Sequence, residues 1–108
     1  MKKKIIMIIG TGVLGSYLSK FFLINKDKVF VTTRYLKQQY NNYQYHKIEK
    51  KVNFVKLNVL DKKDIHKKIV KINPDIIYYF AGQSSIFLSY KKKKDTMNSN
   101  YYGALNFL

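Results

Sequence analysis

The sequence contains no cysteine. Disulfides and thiolate metal sites are thereby excluded, and nothing points to an oxidising compartment. Arginine occurs once, at Arg34, so lysine supplies nearly all of a net charge of +15. Proteins that read nucleic-acid sequence rely on arginine for bidentate base contacts. Here the lysines are spread from Lys2 to Lys94, as expected of permissive surface positions, and no nucleic-acid partner is expected. No alanine precedes Ala81, so the lysine-led apolar start is followed by no small-residue cleavage site. Glycines and then Lys20 break that apolar stretch short of the ~20 residues a membrane span needs. A cytoplasmic protein with no membrane partner is expected. His46 and His66, the only histidines, have no neighbour at metal-ligand spacing, so no metal is expected. There is no internal repeat and no linker.

A chain of 108 residues suits one domain, and 46% apolar residues exclude a disordered one. Ile5-Ile6-Met7-Ile8-Ile9 is a short apolar run, the mark of a strand buried on both faces. Leu14, Leu18, Phe21 and Phe22 follow at helical spacing, predicting a helix to about Asn25 with those four on its buried face. Val29 to Thr33 reads as a second strand and Asn53 to Leu57 as a third. Between them Tyr35 to Lys51 is polar and tyrosine-rich, a loop with a short helix. Tyr40, Tyr43 and Tyr45 within it could offer a base-stacking platform, but packing of the crossover is the preferred reading. Asp61, with Asp64 three residues on, opens another helix whose stripe is Ile65, Ile69 and Ile72; Asn73-Pro74 ends it. Asp75 to Phe80 is a fourth strand, and Asp95 to Leu108 reads as a helix that the sequence cuts off.

Strands alternating with helices give an α/β fold with parallel crossovers. Gly10-Thr11-Gly12-Val13-Leu14-Gly15 sits between the first strand and the first helix. The dinucleotide fingerprint requires this placement: one glycine for the tight turn, one for close approach of pyrophosphate, one for helix–strand packing. The expectation is a Rossmann-type doubly wound parallel sheet of about four strands in the order 3-2-1-4. Residues 1–108 would form an NAD(P)-binding domain incomplete at its C-terminus. NAD-binding versions carry an acidic residue at the end of the second strand. This chain has Thr32-Thr33-Arg34-Tyr35 there, and a guanidinium suits a 2′-phosphate, so NADP is expected, with NAD as the alternative.

The stretch Phe80-Ala81-Gly82-Gln83-Ser84-Ser85-Ile86-Phe87-Leu88-Ser89-Tyr90 resembles the segment after the fourth strand in GDP-mannose 4,6-dehydratases, members of the extended short-chain dehydrogenase/reductase superfamily. Gly15-Ser16-Tyr17-Leu18, Asn73-Pro74-Asp75-Ile76-Ile77-Tyr78, Asn98-Ser99-Asn100 and Gly103-Ala104-Leu105-Asn106 resemble further pieces of that family, in the same order. The resemblance implies that Gly10, Thr11, Gly12, Val13, Leu14 and Gly15 hold the pyrophosphate and Arg34 the 2′-phosphate. It places Asn58 and Val59 at the adenine, and Phe80, Ala81, Gly82, Gln83 and Ser84 beside the ribose and nicotinamide. It also implies a nucleotide-sugar substrate for the full-length protein and admits a homo-oligomer. Two positions depart from the family. Only Thr11 separates the first two glycines, where the family has two residues, and Asn58 replaces an aspartate.

No catalytic residue is assigned. Tyr90 and Lys94 have the spacing of the superfamily's Tyr-x-x-x-Lys pair but fall too early in the chain. The run Lys91 to Lys94 reads as a solvated loop. The expected role is the cofactor-binding portion of a sugar-nucleotide 4,6-dehydratase. The alternatives are another epimerase or reductase of the superfamily and a non-catalytic dinucleotide sensor; a basic nucleic-acid module is the third class.

Overall fold

The computed structural model describes residues 3–37 and 39–80. Its elements run β1 (Ile5–Ile9), α1 (Val13–Ile24), β2 (Lys28–Thr33), α2 (Asn41–Tyr45), a 3-10 turn (Glu49–Lys51), β3 (Asn53–Lys56), α3 (Lys62–Ile72) and β4 (Ile76–Tyr79). The four strands form one parallel sheet in the order β3-β2-β1-β4, as the alternation of strands and helices predicts. Ile9 lies opposite Thr32 on one side and Tyr79 on the other, which aligns the carboxyl ends of β1, β2 and β4. Strand order reverses between β1 and β4, and such a switch point opens a crevice beyond the strand ends.

Both faces of the sheet are covered, because the side chains of β1 alternate. Ile6 and Ile8 join Val29, Val31, Phe22, Tyr40 and Tyr43 in one core. Met7 and Ile9 join Leu57 and the α3 residues Ile65 and Ile72 in the other. The α3 stripe matches the isoleucine spacing in the sequence. Asp61 caps this helix by accepting the Asp64 N–H (3.2 Å), and Asn73 ends it in the left-handed conformation (φ 51°). The segment between β2 and β3 contains the expected short helix. Tyr40 stacks on Phe54 with ring centroids 3.9 Å apart, and Tyr43 meets the same ring edge-on. Tyr40 and Tyr43 are buried, so only Tyr45 of the three tyrosines stands at the surface. The helix expected over Asp95 to Leu108 lies outside the described residues.

The buried face of α1 differs from expectation. Gly15, Ser16, Ser19 and Phe22 face the sheet, while Leu14 and Phe21 point outward and Leu18 is half-buried. The cause is close packing. The helix approaches β1 through its smallest residues, and the Ser16 and Ser19 hydroxyls donate within the helix to Val13 O (2.6 Å) and Gly15 O (2.7 Å). Apolar periodicity could not reveal this, because α1 is apolar on most of its circumference.

A candidate dinucleotide site at the carboxyl edge of the sheet

The glycine turn lies directly beyond β1. Gly10 has φ 110°, a conformation that L side chains rarely adopt, and its N–H donates to Thr32 O (3.1 Å), tying the turn to β2. Gly12 is the N-cap of α1 in an extended conformation with no side-chain cap, and its carbonyl accepts the Ser16 N–H (3.2 Å). The N–H groups of the first helical turn point out of the helix end, beside the positive end of its dipole. A Cβ built on Gly12 meets nothing within 4 Å. A Cβ on Gly15 meets Ile8 Cγ2 at 3.2 Å and the Tyr43 hydroxyl at 3.4 Å. Gly12 therefore faces open space and Gly15 faces packed protein. The single residue between Gly10 and Gly12 still lets helix α1 begin at Val13. Val13 and Leu14 turn their side chains outward, so only their backbone belongs to the turn.

Arg34 follows β2 at the same edge as the turn. Its guanidinium carbon lies 5.6 Å from the Tyr35 ring centroid. Together with Tyr35, Lys56, Asn58, Asp61, Asp64 and Lys68 it lines a groove of about 470 Å³. The structure thus brings Arg34 and Asn58 together. The Asn58 side-chain oxygen already accepts the Leu60 N–H (3.0 Å), so the residue also shapes the turn into α3. One lone pair of that oxygen remains for a ligand. Val59 packs against the core on the α3 side. Thr11 borders a separate, smaller cleft of about 190 Å³ with Lys37, Gln39, Tyr40, Asn41 and Asn42. Phe80 closes the edge on the β4 side, its N–H donating to Ile9 O (2.8 Å) and its ring stacked on Tyr78. Ala81, Gly82, Gln83 and Ser84 lie outside the described residues, as do Tyr90 and Lys91 to Lys94.

Sequence reasoning did not single out Lys56, Lys68 or Tyr35 in the groove, nor Lys37, Asn41 and Asn42 in the cleft. The signal for Lys56 was its place at the end of β3, opposite Thr33. Asp64 and Lys68 form an ion pair at 2.8 Å, one helical turn apart. Among the described residues no three metal-ligating side chains come together, and no helix is long and apolar enough to cross a membrane.

The chain matches the family model for GDP-mannose 4,6 dehydratase over residues 7–108. It belongs to that family. Among curated relatives, UDP-glucose 4-epimerase of Mycoplasma pneumoniae is 27% identical over 107 residues, covering 99% of this chain and 31% of the relative. The chain thus spans about a third of the length of such relatives. Among solved structures, a UDP-glucose 4-epimerase from Stenotrophomonas maltophila, with bound NAD and formylated UDP-arabinopyranose, superposes with a TM-score of 0.79. The two are 17% identical, and the match covers 95% of this chain and 32% of that one. L-threonine dehydrogenase from Clostridium difficile gives 0.76 at 25% identity, covering 98% and 32%. These likenesses show a Rossmann fold of the epimerase/dehydratase type.

Proposed function

We propose that this chain binds NADP and supplies the cofactor part of a nucleotide-sugar 4,6-dehydratase. One observation carries the cofactor choice. The second strand ends at Thr33 and Arg34 follows it at the same edge as the glycine turn, a guanidinium where NAD-binding versions of the fold carry a carboxylate. The turn fits a dinucleotide. The open space over Gly12 suits a pyrophosphate laid against backbone, and the α1 N-terminus favours its negative charge. Gly10, Thr11, Gly12 and the first-turn backbone of Val13, Leu14 and Gly15 would hold the pyrophosphate. Arg34 would hold the 2′-phosphate, Asn58 and Val59 the adenine, and Phe80 to Ser84 the nicotinamide side. Bound NADP would supply hydride transfer with the sugar; these residues bind and orient it and leave acid–base chemistry to other parts of the whole protein.

The similarity to UDP-glucose 4-epimerases favours a second reading, an epimerase using NAD. Calorimetric titration of the chain with both cofactors separates the two. An Arg34–phosphate pair should contribute roughly 1.5–3 kcal/mol, so Arg34→Ala should weaken NADP by about one to two decades and NAD little. Equal affinity for NAD and NADP in the unmutated protein would refute the assignment of Arg34. For the whole protein, the dehydratase reading expects loss of water from GDP-mannose. Interconversion of UDP-glucose and UDP-galactose would establish the epimerase instead.

A further inference from the structure

A phosphomonoester carries a charge of about −1.5 to −2 at neutral pH and presents three strong acceptor oxygens. A guanidinium brings one positive charge and two parallel hydrogen bonds. Arg34 alone therefore leaves one oxygen and much of the charge of a 2′-phosphate to another donor. Lys56 and Lys68 line the groove with Arg34, and Lys37 lines the smaller cleft with Thr11. The groove is the poorer setting for that phosphate. Lys68 is paired with Asp64 at 2.8 Å, and Asp61 lines the same groove, so two carboxylates would face an anion placed deep within it. No carboxylate lines the cleft. Thr11, Lys37, Asn41 and Asn42 do, all with side chains that can donate, and none of those side chains has a hydrogen-bond partner among the described residues.

We propose that Lys37 is a second cation for the 2′-phosphate, reaching it from the cleft while Arg34 reaches it from the groove. The proposal rests on the NADP reading and adds to it a residue that decides between NADP and NAD. Position supports Lys37 over Lys56. Thr11 belongs to the glycine turn, and the 2′-phosphate hangs from the ribose next to the pyrophosphate, so a residue sharing a cleft with the turn stands on its path. Lys56 stands on β3, with β2 between it and the turn. The backbone that carries Lys37 is also held in place. Its N–H donates to the Tyr40 hydroxyl (2.8 Å), the Tyr40 N–H donates to Glu49 Oε2 (2.6 Å), and the Tyr40 ring stacks on Phe54. Only the exposed lysine side chain is left for a ligand to order, which lowers the cost of binding. The Thr11 hydroxyl and the amides of Asn41 and Asn42 would donate to the remaining lone pairs of the phosphate.

Calorimetric titration of the chain and its variants with NADP and with NAD tests this. Lys37→Gln should weaken NADP by about 10-fold and NAD by less than about 2-fold. Lys37→Arg keeps the charge and should keep the preference for NADP. Lys50→Gln removes an equal charge from the exposed 3-10 turn and should change either affinity by less than about 2-fold. A loss in Lys37→Gln shared equally by NADP and NAD would overturn the proposal. So would no loss, or an equal loss in Lys50→Gln, since Lys37 would then be one surface charge among many. The same titrations separate Lys37 from Arg34. If Arg34→Ala abolishes the preference for NADP and Lys37→Gln leaves it, the role of Lys37 is overturned and the Arg34 assignment stands. If Lys37→Gln abolishes it and Arg34→Ala does not, Lys37 stands and Arg34 falls. An unmutated chain with no preference for NADP would overturn both.

Discussion

Gly12 and Gly15 lie three residues apart in one turn of chain, yet a side chain at each would meet different surroundings. Gly12→Val places its methyls in open space at an ordinary extended backbone, so the protein should fold with a loss of about 1 kcal/mol or less in helix capping. On the proposed reading, the same methyls would stand where the pyrophosphate meets backbone, so affinity for the proposed NADP should fall below detection by titration. Retained affinity in the folded variant would remove the site from the turn. Gly15→Ala meets Ile8 and Tyr43 and should cost stability, by roughly 1–3 kcal/mol of overpacking. Denaturant unfolding reads that loss directly. Tyr43 itself holds a fully buried hydroxyl with no partner in good hydrogen-bond geometry. Tyr43→Phe should therefore raise stability by about 1 kcal/mol at neutral pH. Burial pushes the Tyr43 phenol up, against an opposite pull from the Ser19 hydroxyl, and burial also raises Tyr79. Burial thus favours the neutral phenol. That contribution is intact below the unfolded value of about 10 and is lost as pH rises through the higher folded one. The advantage of Tyr43→Phe should accordingly widen above pH 10.

At the level of elements, α3 shows what sequence can specify. Its cap at Asp61, its isoleucine stripe and its end at Asn73-Pro74 are local, and each is where the pattern puts it. Asp61→Ala should lose about 1 kcal/mol, a fall of roughly 4–8 °C in Tm. An unchanged melting curve would mean that the Asp61–Asp64 hydrogen bond contributes nothing. Strand order was equally legible, because parallel crossovers leave few arrangements. The face of α1 was not. Its apolar residues surround the helix, and the contact that decides its rotation is a close approach of glycine and serine to β1, which hydrophobic spacing does not record. The groove beside Arg34 was legible only in part. Arg34 and Asn58 follow strand ends, whereas Lys68 reaches the same groove from the second turn of α3.

Over the whole molecule, 21 basic residues face 6 acidic ones. The described residues contain one ion pair, between Lys68 and Asp64. Self-repulsion should therefore lower stability at low ionic strength. Raising salt from 0.01 to 0.1 M shortens the screening length from about 30 to about 10 Å, and Tm should rise. A fall in Tm would show that the lysines are too dispersed to oppose folding. The groove at the carboxyl edge holds only a small share of that surplus, Arg34, Lys56 and Lys68 against Asp61 and Asp64.

Strands β3 and β4 of the described sheet differ in a way that matters for handling the protein. β3 begins with an asparagine and ends with a lysine, while β4 reads Ile76-Ile77-Tyr78-Tyr79 without a charge. Within the described sheet, β4 pairs on one side only, with β1. A short, uncharged run rich in isoleucine and tyrosine is the kind of segment along which separate, partly opened molecules add strand to strand and precipitate. Loss of material on concentration should thus begin at β4, and Ile77→Lys, placed at a partly exposed position, should slow it.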